Sequence, residues 1–247
     1  MSSTRCRRVM AVVTVMLVGL CAAWAASPVK LADVASADDL TKEVTLLVTD
    51  VQQTLTSLET YNDGQERLKR SASQIAVFAQ AMAEHDATFP LKEAAPDLRD
   101  AAIAIARAKS YEDATQSLER LTQAAAGKAT GQAKRDFDWG KLSRLGVLMH
   151  AMQDRREALR KSFRRPRDPE AESRHAMAIA VMALAVHGDT HEVKNPADKP
   201  AWHDACLQLQ GHMSRAAAAI QQRDASAADH FRLGMEACNT CHEKFKP

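Results

Sequence analysis

The stretch ASAADHFRLGMEACNTCHEKF, residues 225–245, decides the fold because its apolar and small residues recur every three or four positions. That spacing puts six residues on one face of an α-helix: Ala227, Phe231, Gly234, Cys238, Cys241 and Phe245. Two of the six are cysteines, and His242 follows the second cysteine directly. The stretch therefore predicts an amphipathic helix with a chemically specialised end.

Three segments before this helix show the same 3.6-residue period, at 142–163, 173–187 and 200–222. The segment 173–187 is apolar nearly all round, which is typical of a deeply buried helix. Prolines fall between the segments, where helix breakers are expected. Four helices with short connections predict an antiparallel four-helix bundle over 142–247.

A second set of four periodic segments lies at 38–127 and predicts another helical bundle, joined to the first by a linker over 128–141. The protein is therefore expected to be all-α. The two bundles differ in charge, with 9 Lys and Arg against 15 Asp and Glu in 38–127, and 20 against 15 in 128–247. The basic excess is densest at 155–167, which favours either a solvated helix face or docking onto an acidic surface.

A faint internal repeat relates the two bundles. The stretch IAVFAQAMAEHD at 75–86 resembles IAVMALAVHGD at 179–189, and LRDAA at 98–102 resembles WHDAC at 202–206. A true duplication would put Ala125, Lys128 and Ala129 at the places of Cys238, Cys241 and His242. The bundle at 38–127 is therefore expected to fold by itself and to bind no cofactor.

The first 25 residues have the pattern of a secretory signal peptide. Three arginines at positions 5, 7 and 8 precede an apolar run at 9–20, and Ala23-Trp24-Ala25 suits cleavage. The mature chain is expected to begin near Ala26 and to be soluble and periplasmic; the alternative is an uncleaved membrane anchor. Cleavage leaves three cysteines, an odd number that does not suit a disulfide framework.

Three chemistries use Cys-x-x-Cys: a redox disulfide, half of a zinc site, and covalent haem attachment when His follows. A redox dithiol needs a βαβ context, whereas the pattern here is helical. A zinc site could add His187 and His191 to Cys238 and Cys241. Haem attachment uses both thiols on the vinyl groups and the adjacent imidazole on the iron, and it fits an exported helical protein. Cys206 lies on the apolar face of its own helix and is interpreted as an inert buried thiol.

The C-terminal motif resembles that of class II cytochromes c, the cytochrome c′ group. In that group the motif has the form C-x-x-C-H-x-x-[Phe/Tyr]-[Arg/Lys]. Cys238, Cys241, His242, Phe245 and Lys246 match this form position by position. The resemblance covers 142–247 and implies a four-helix bundle with one haem c. It implies His242 as an iron ligand. Phe245 continues the apolar face of the same helix and would pack on the porphyrin edge.

In that family the first bundle helix supplies the residue opposite the histidine ligand. Met149 lies nearest the apolar face of segment 142–163 and is the leading sixth ligand, against a wall formed by Leu148 or ligation by His150. The other reading of Met149 is simple core packing. Arg156 lies on the same face, where a haem propionate would offset its charge; alternatively its head group reaches water, and Arg144 is a competing propionate partner.

The resulting function is electron transfer by an exported cytochrome, with NO or CO binding at a five-coordinate iron, including NO scavenging, as the alternative. No nucleophile–base set or paired carboxylates indicate an enzyme. The expected partner is a redox protein, with a homodimer left open. Nucleic acid is not expected, because the protein is expected to be exported and its basic segment lacks interleaved aromatic residues. No small-molecule substrate is expected either, since neither electron transfer nor gas binding needs a substrate pocket.

Overall fold

The computed structural model describes residues 26–246, and the predicted signal peptide lies outside the described residues. Within that range the regular structure is entirely helical, with eight α-helices, three short 3₁₀ turns and no strand. The predicted all-α class is therefore confirmed. No helix among the same residues has the length and apolarity that a membrane span requires.

The first four helices are α1 (Ala37–Thr54), α2 (Leu58–Glu84), α3 (Ala95–Arg107) and α4 (Tyr111–Ala125). Serine side chains accept hydrogen bonds from backbone N–H groups at the starts of α1, α2 and α4, so local sequence sets those boundaries. Each helix packs on the next, and α4 returns to α1. The Tyr111 hydroxyl donates to the carbonyl of Leu55 at 3.2 Å and holds the start of α4 beside the end of α1.

The last four helices are α5 (Leu145–Arg164), α6 (Pro169–Gly188), α7 (Lys199–Gln221) and α8 (Ser226–Phe245). Their bounds lie within four residues of the predicted ones. Prolines stand in the first turns of α6 and α7, where the missing N–H is not needed. Residues 176–186 of α6 are all buried, as its apolar pattern predicted.

The two halves are packed together, because α2 contacts both α5 and α6 and the buried apolar residues form one continuous core. A buried polar network lies at this joint. Glu43 of α1 is 2% exposed and accepts a hydrogen bond from Arg155 of α5. Arg155 also donates from Nε to Gln74 Oε1 at 3.0 Å. One residue of the basic stretch therefore pairs with the acidic half, as one of its two interpretations predicted.

The connection predicted as a linker, 128–141, is packed against both halves. Arg99 of α3 is 1% exposed and donates to the carbonyls of Lys134 and Arg135. Trp139 is buried and donates to Glu84 of α2 at 3.1 Å. Gly140 lies against the end of α6, where an added Cβ would be 2.5 Å from the carbonyl oxygen of Gly188.

Candidate functional site

A narrow cleft of about 80 Å³, partly open to solvent, lies between α5 and α8. At one end of this pair of helices Phe163 and Phe231 are in contact, with ring centroids 5.2 Å apart. Towards the other end α5 and α8 do not pack closely, and residues of all four helices line the space. The cleft therefore opens between the first and last helices of the C-terminal bundle.

The α8 wall of the cleft carries the predicted attachment motif. Cys238, Cys241 and His242 all line the cleft, and both cysteines are free thiols. Burial raises the pKa of the Cys238 thiol to about 11, with a smaller contribution from Cys241. Burial lowers the pKa of His242, as do the nearby charges of Lys246 and Arg156. Two neutral thiols and a neutral imidazole thus face one space at neutral pH.

The position of α8 is set by close packing on α7. A Cβ at Gly234 would meet the terminal methyl of Met213 at 2.2 Å, so a larger residue would require the Met213 side chain to move. At the C-terminal end of α8, Phe245 packs edge-on against Trp202, with centroids 5.2 Å apart. Phe245 therefore lies beside Trp202 and does not line the cleft, whereas its place on the apolar face of the helix had predicted packing on a porphyrin edge.

The α5 wall carries thioether and guanidinium groups. Met149 is partly buried and lines the cleft, together with Met152 one turn later. Leu148 is 2% exposed but packs outside the cleft lining, and His150 is exposed. Of the three sequence candidates for the position opposite His242, the structure brings only Met149 to the cleft.

Arg156 also lines the cleft and has an unsatisfied donor. Its Nη2 lies 3.2 Å from Glu157 Oε1, but its Nε is buried and has no hydrogen-bond partner among the described residues. Buried donors are nearly always paired in proteins, and leaving one unpaired costs about 1–3 kcal/mol. The competing residue, Arg144, is the exposed N-cap residue of α5 and does not line the cleft.

The cleft contains a third thiol that sequence reasoning did not assign to it. Cys206 of α7 is 4% exposed and lines the cleft together with Cys238 and Cys241. Burial raises its pKa, and the two neighbouring thiols add to the effect. Met235 of α8 lines the cleft as well. The available signal was periodicity, since Cys206 and the motif cysteines occupy the apolar faces of consecutive helices.

The histidines of the zinc alternative are not brought together with the cysteines. His187 stacks on His203 with ring centroids 4.2 Å apart, and His191 pairs with Asp189 and Glu192. Neither His187 nor His191 lines the cleft. Between residues 26 and 246, no three His, Cys, Asp or Glu side chains are grouped as the ligands of a metal ion would be.

Comparison with models of known protein families, with curated proteins and with solved structures finds no match for this chain. The chemical groups of the cleft are therefore the basis for a functional proposal. They are two thiols and an imidazole on α8, thioethers on α5 and α8, and a buried guanidinium nitrogen on α5.

Proposed function

We propose that the protein is an exported c-type cytochrome that carries one covalently attached haem and transfers electrons. Cys238 and Cys241 would hold the porphyrin through thioether bonds, and His242 would ligate the iron. The observation that carries the proposal is the placement of these three groups on one wall of a cleft whose other walls are largely apolar. Haem c supplies one-electron redox chemistry, tuned by the axial ligands and by burial.

The residues of the cleft fit such a group. Its thiols are free and its imidazole is neutral, as attachment and ligation require. Apolar residues from α6, including Ile179 and Ala183, offer a surface for a porphyrin. The unpaired Nε of Arg156 offers a donor to a propionate, which would remove the cost of an unsatisfied buried group.

Met149 is the proposed sixth ligand, since it lies on the wall opposite His242. A thioether stabilises ferrous iron and raises the reduction potential. If His242 and Met149 both held the iron, its coordination would be the same in the oxidised and reduced states, which would favour electron transfer. Met152 lines the same cleft and provides a matched comparison for Met149.

NO or CO binding is the second candidate function. The apolar α6 residues in the cleft favour it, because a small neutral ligand needs an uncharged pocket beside the iron. Carbon monoxide distinguishes the two candidates. A six-coordinate electron carrier takes up carbon monoxide slowly or not at all, whereas a five-coordinate gas binder shifts its Soret band at once.

The test of attachment is expression with export and a cytochrome c maturation system, followed by intact-mass measurement. The mature chain is expected to begin near Ala26 and to exceed its polypeptide mass by one haem, and acid-acetone should not extract the colour. Unmodified thiols at Cys238 and Cys241 under these conditions would contradict the proposal.

The cellular location and the redox partner follow from the export signal and the charge of the protein. We infer that the protein acts as a soluble periplasmic protein whose bundle at 38–127 arose by duplication and binds no cofactor. The similar stretches 75–86 and 179–189 end α2 and α6, respectively, which supports this relation. An acidic redox protein suits the exposed basic residues of α5 that remain after Arg155 pairs with Glu43.

A further inference from the structure

A second cavity, of about 600 Å³, lies at the opposite end of α5 from the cleft. Its apolar lining includes Leu159 and Phe163 of α5, Ile220 of α7 and Ala227 of α8. A volume of this size lies in the range of small-molecule sites, which are concave and mostly apolar with a few polar groups that orient the ligand.

Two guanidinium groups line this cavity without a protein partner. Arg167 and Arg223 are both exposed, and neither side chain forms a hydrogen bond or ion pair with a residue in the described range 26–246. The two carboxylates in the lining are already engaged by backbone N–H groups. Glu172 accepts from the N–H of Arg167 at 2.7 Å, and Asp224 accepts from that of Ser226 at 2.8 Å. The lining therefore holds two cations and two carboxylates, and of these four side chains only the two guanidinium groups lack a hydrogen-bond partner in the described range.

Arg223 occupies a backbone conformation that favours glycine. Its φ is +55°, and it is the residue after the C-cap of α7. The N–H of Arg223 bonds to the carbonyl of Ile220, and that of Asp224 to the carbonyl of Ala219, which is the Schellman pattern. Glycine is the usual residue there, so arginine is held at a cost in backbone energy.

We propose that this cavity binds a single-chain carboxylate, such as a medium-length fatty acid. The hydrocarbon chain would lie against the apolar lining, and the carboxylate would pair with Arg167 and Arg223. Guanidinium groups suit a carboxylate because their N–H donors match its two oxygens. Binding there does not depend on a haem in the cleft.

The experiment is calorimetric titration of the full mature protein with decanoate, with 1-decanol and decyltrimethylammonium as uncharged and cationic comparators. Decanoate is expected to bind at one site and more tightly than either comparator. Arg167→Gln and Arg223→Gly should each weaken decanoate binding about threefold to fivefold, the loss expected for one exposed ion pair. Arg223→Gly should also raise the melting temperature, because it relieves the backbone strain.

Two further variants complete the test. Ala228→Trp, at an exposed helix position in the cavity lining, should abolish decanoate binding while leaving the circular dichroism unchanged. Arg165→Gln removes a nearby exposed charge outside the lining and should leave the affinity as it is. Equal affinity for decanoate and decanol, absence of saturable binding, or equal weakening by Arg165→Gln would overturn the proposal.

Discussion

The two halves of the molecule arrange four helices in the same order but close their bundles differently. In the first half α4 packs back on α1, and Gln52 donates to Thr122 between them at 3.2 Å. In the second half α5 and α8 make ring contact at Phe163 and Phe231 and are separated by the cleft further along. A four-helix bundle can thus be opened between its first and last helices while the other pairs stay packed.

The difference follows from the side chains at these helices and from helix length. α4 ends at Ala125, so Lys128 and Ala129 lie beyond the helix, whereas α8 continues through its cysteines and histidine to Phe245. Leu121 and Ala124 of α4 are buried, and they complete an apolar contact surface. α8 instead presents partly buried thiols to an open cleft.

The largest expected effect is loss of the attachment chemistry. Cys238→Ser with Cys241→Ser should abolish covalent haem, because no thiol of the motif remains to form a thioether. Haem staining of denaturing gels and the Soret absorbance measure the result. Cys206→Ser is the matched control in the same cleft and should keep the full haem content. An equal loss of covalent haem in Cys206→Ser would contradict the assignment of attachment to Cys238 and Cys241.

The next largest effect concerns the wall opposite His242. Met149→Ala should open the site, speed carbon monoxide binding to the reduced protein and lower the reduction potential, because a thioether favours ferrous iron. Stopped-flow spectroscopy and redox titration test this. Met152→Ala should leave both values near those of the unaltered protein. If the unaltered protein is already high-spin and binds carbon monoxide at once, electron transfer gives way to gas binding.

The joint between the halves is expected to be a major source of stability. Glu43→Gln should lower the free energy of unfolding by about 3 kcal/mol, because it leaves the largely buried Arg155 and Arg174 without their shared carboxylate. Urea denaturation followed by circular dichroism measures the change. Glu66→Gln removes an exposed carboxylate of α2 that pairs with Lys69 and should change stability by less than about 1 kcal/mol. Similar values for the two variants would show that the halves do not depend on this network.

The same joint predicts a pH dependence. Burial, with the charges of Arg155 and Arg174, lowers the pKa of His175 from 6.5 to about 4. The unfolded chain therefore binds this proton first, so the contribution of His175 to stability is present above pH 6.5 and is lost as the pH falls towards 4. His175→Gln should flatten the decline of unfolding free energy between pH 6.5 and 4.

His191 is the control, because its pKa is raised by Asp189 and its side chain is exposed. His191→Gln should not flatten the decline of stability in that range. An unchanged slope in His175→Gln would contradict the assignment.

The smallest expected changes in stability come from alanine substitutions at two helical glycines, and they have opposite signs. Gly234→Ala should destabilise the bundle, because the new Cβ meets Met213, although that flexible side chain can move and limit the cost to about 1 kcal/mol. Gly146→Ala meets no atom within 4 Å and should stabilise α5 by about 0.5 kcal/mol, since alanine loses less conformational entropy. Thermal melts of both variants measure the difference, and stabilisation by both would show that α7 and α8 are not closely packed.

The helices themselves could be predicted from the sequence. All eight lie near the positions that the 3.6-residue period and the prolines indicated, because these signals act within one or two turns of chain. The candidate site residues could also be picked out from the sequence. Cys238, Cys241 and His242 lie within five residues of one another, and Met149 and Arg156 lie on one helix face.

Only the tertiary structure decided which helix faces meet. It separates α5 from α8, brings Cys206 to the cleft, packs Phe245 on Trp202 and buries Glu43 against Arg155. Periodicity tells which face of a helix is apolar, but the partner of that face and its register depend on residues far away in the chain. The cleft is the result of such long-range packing, because it exists only where two apolar faces of one bundle do not touch.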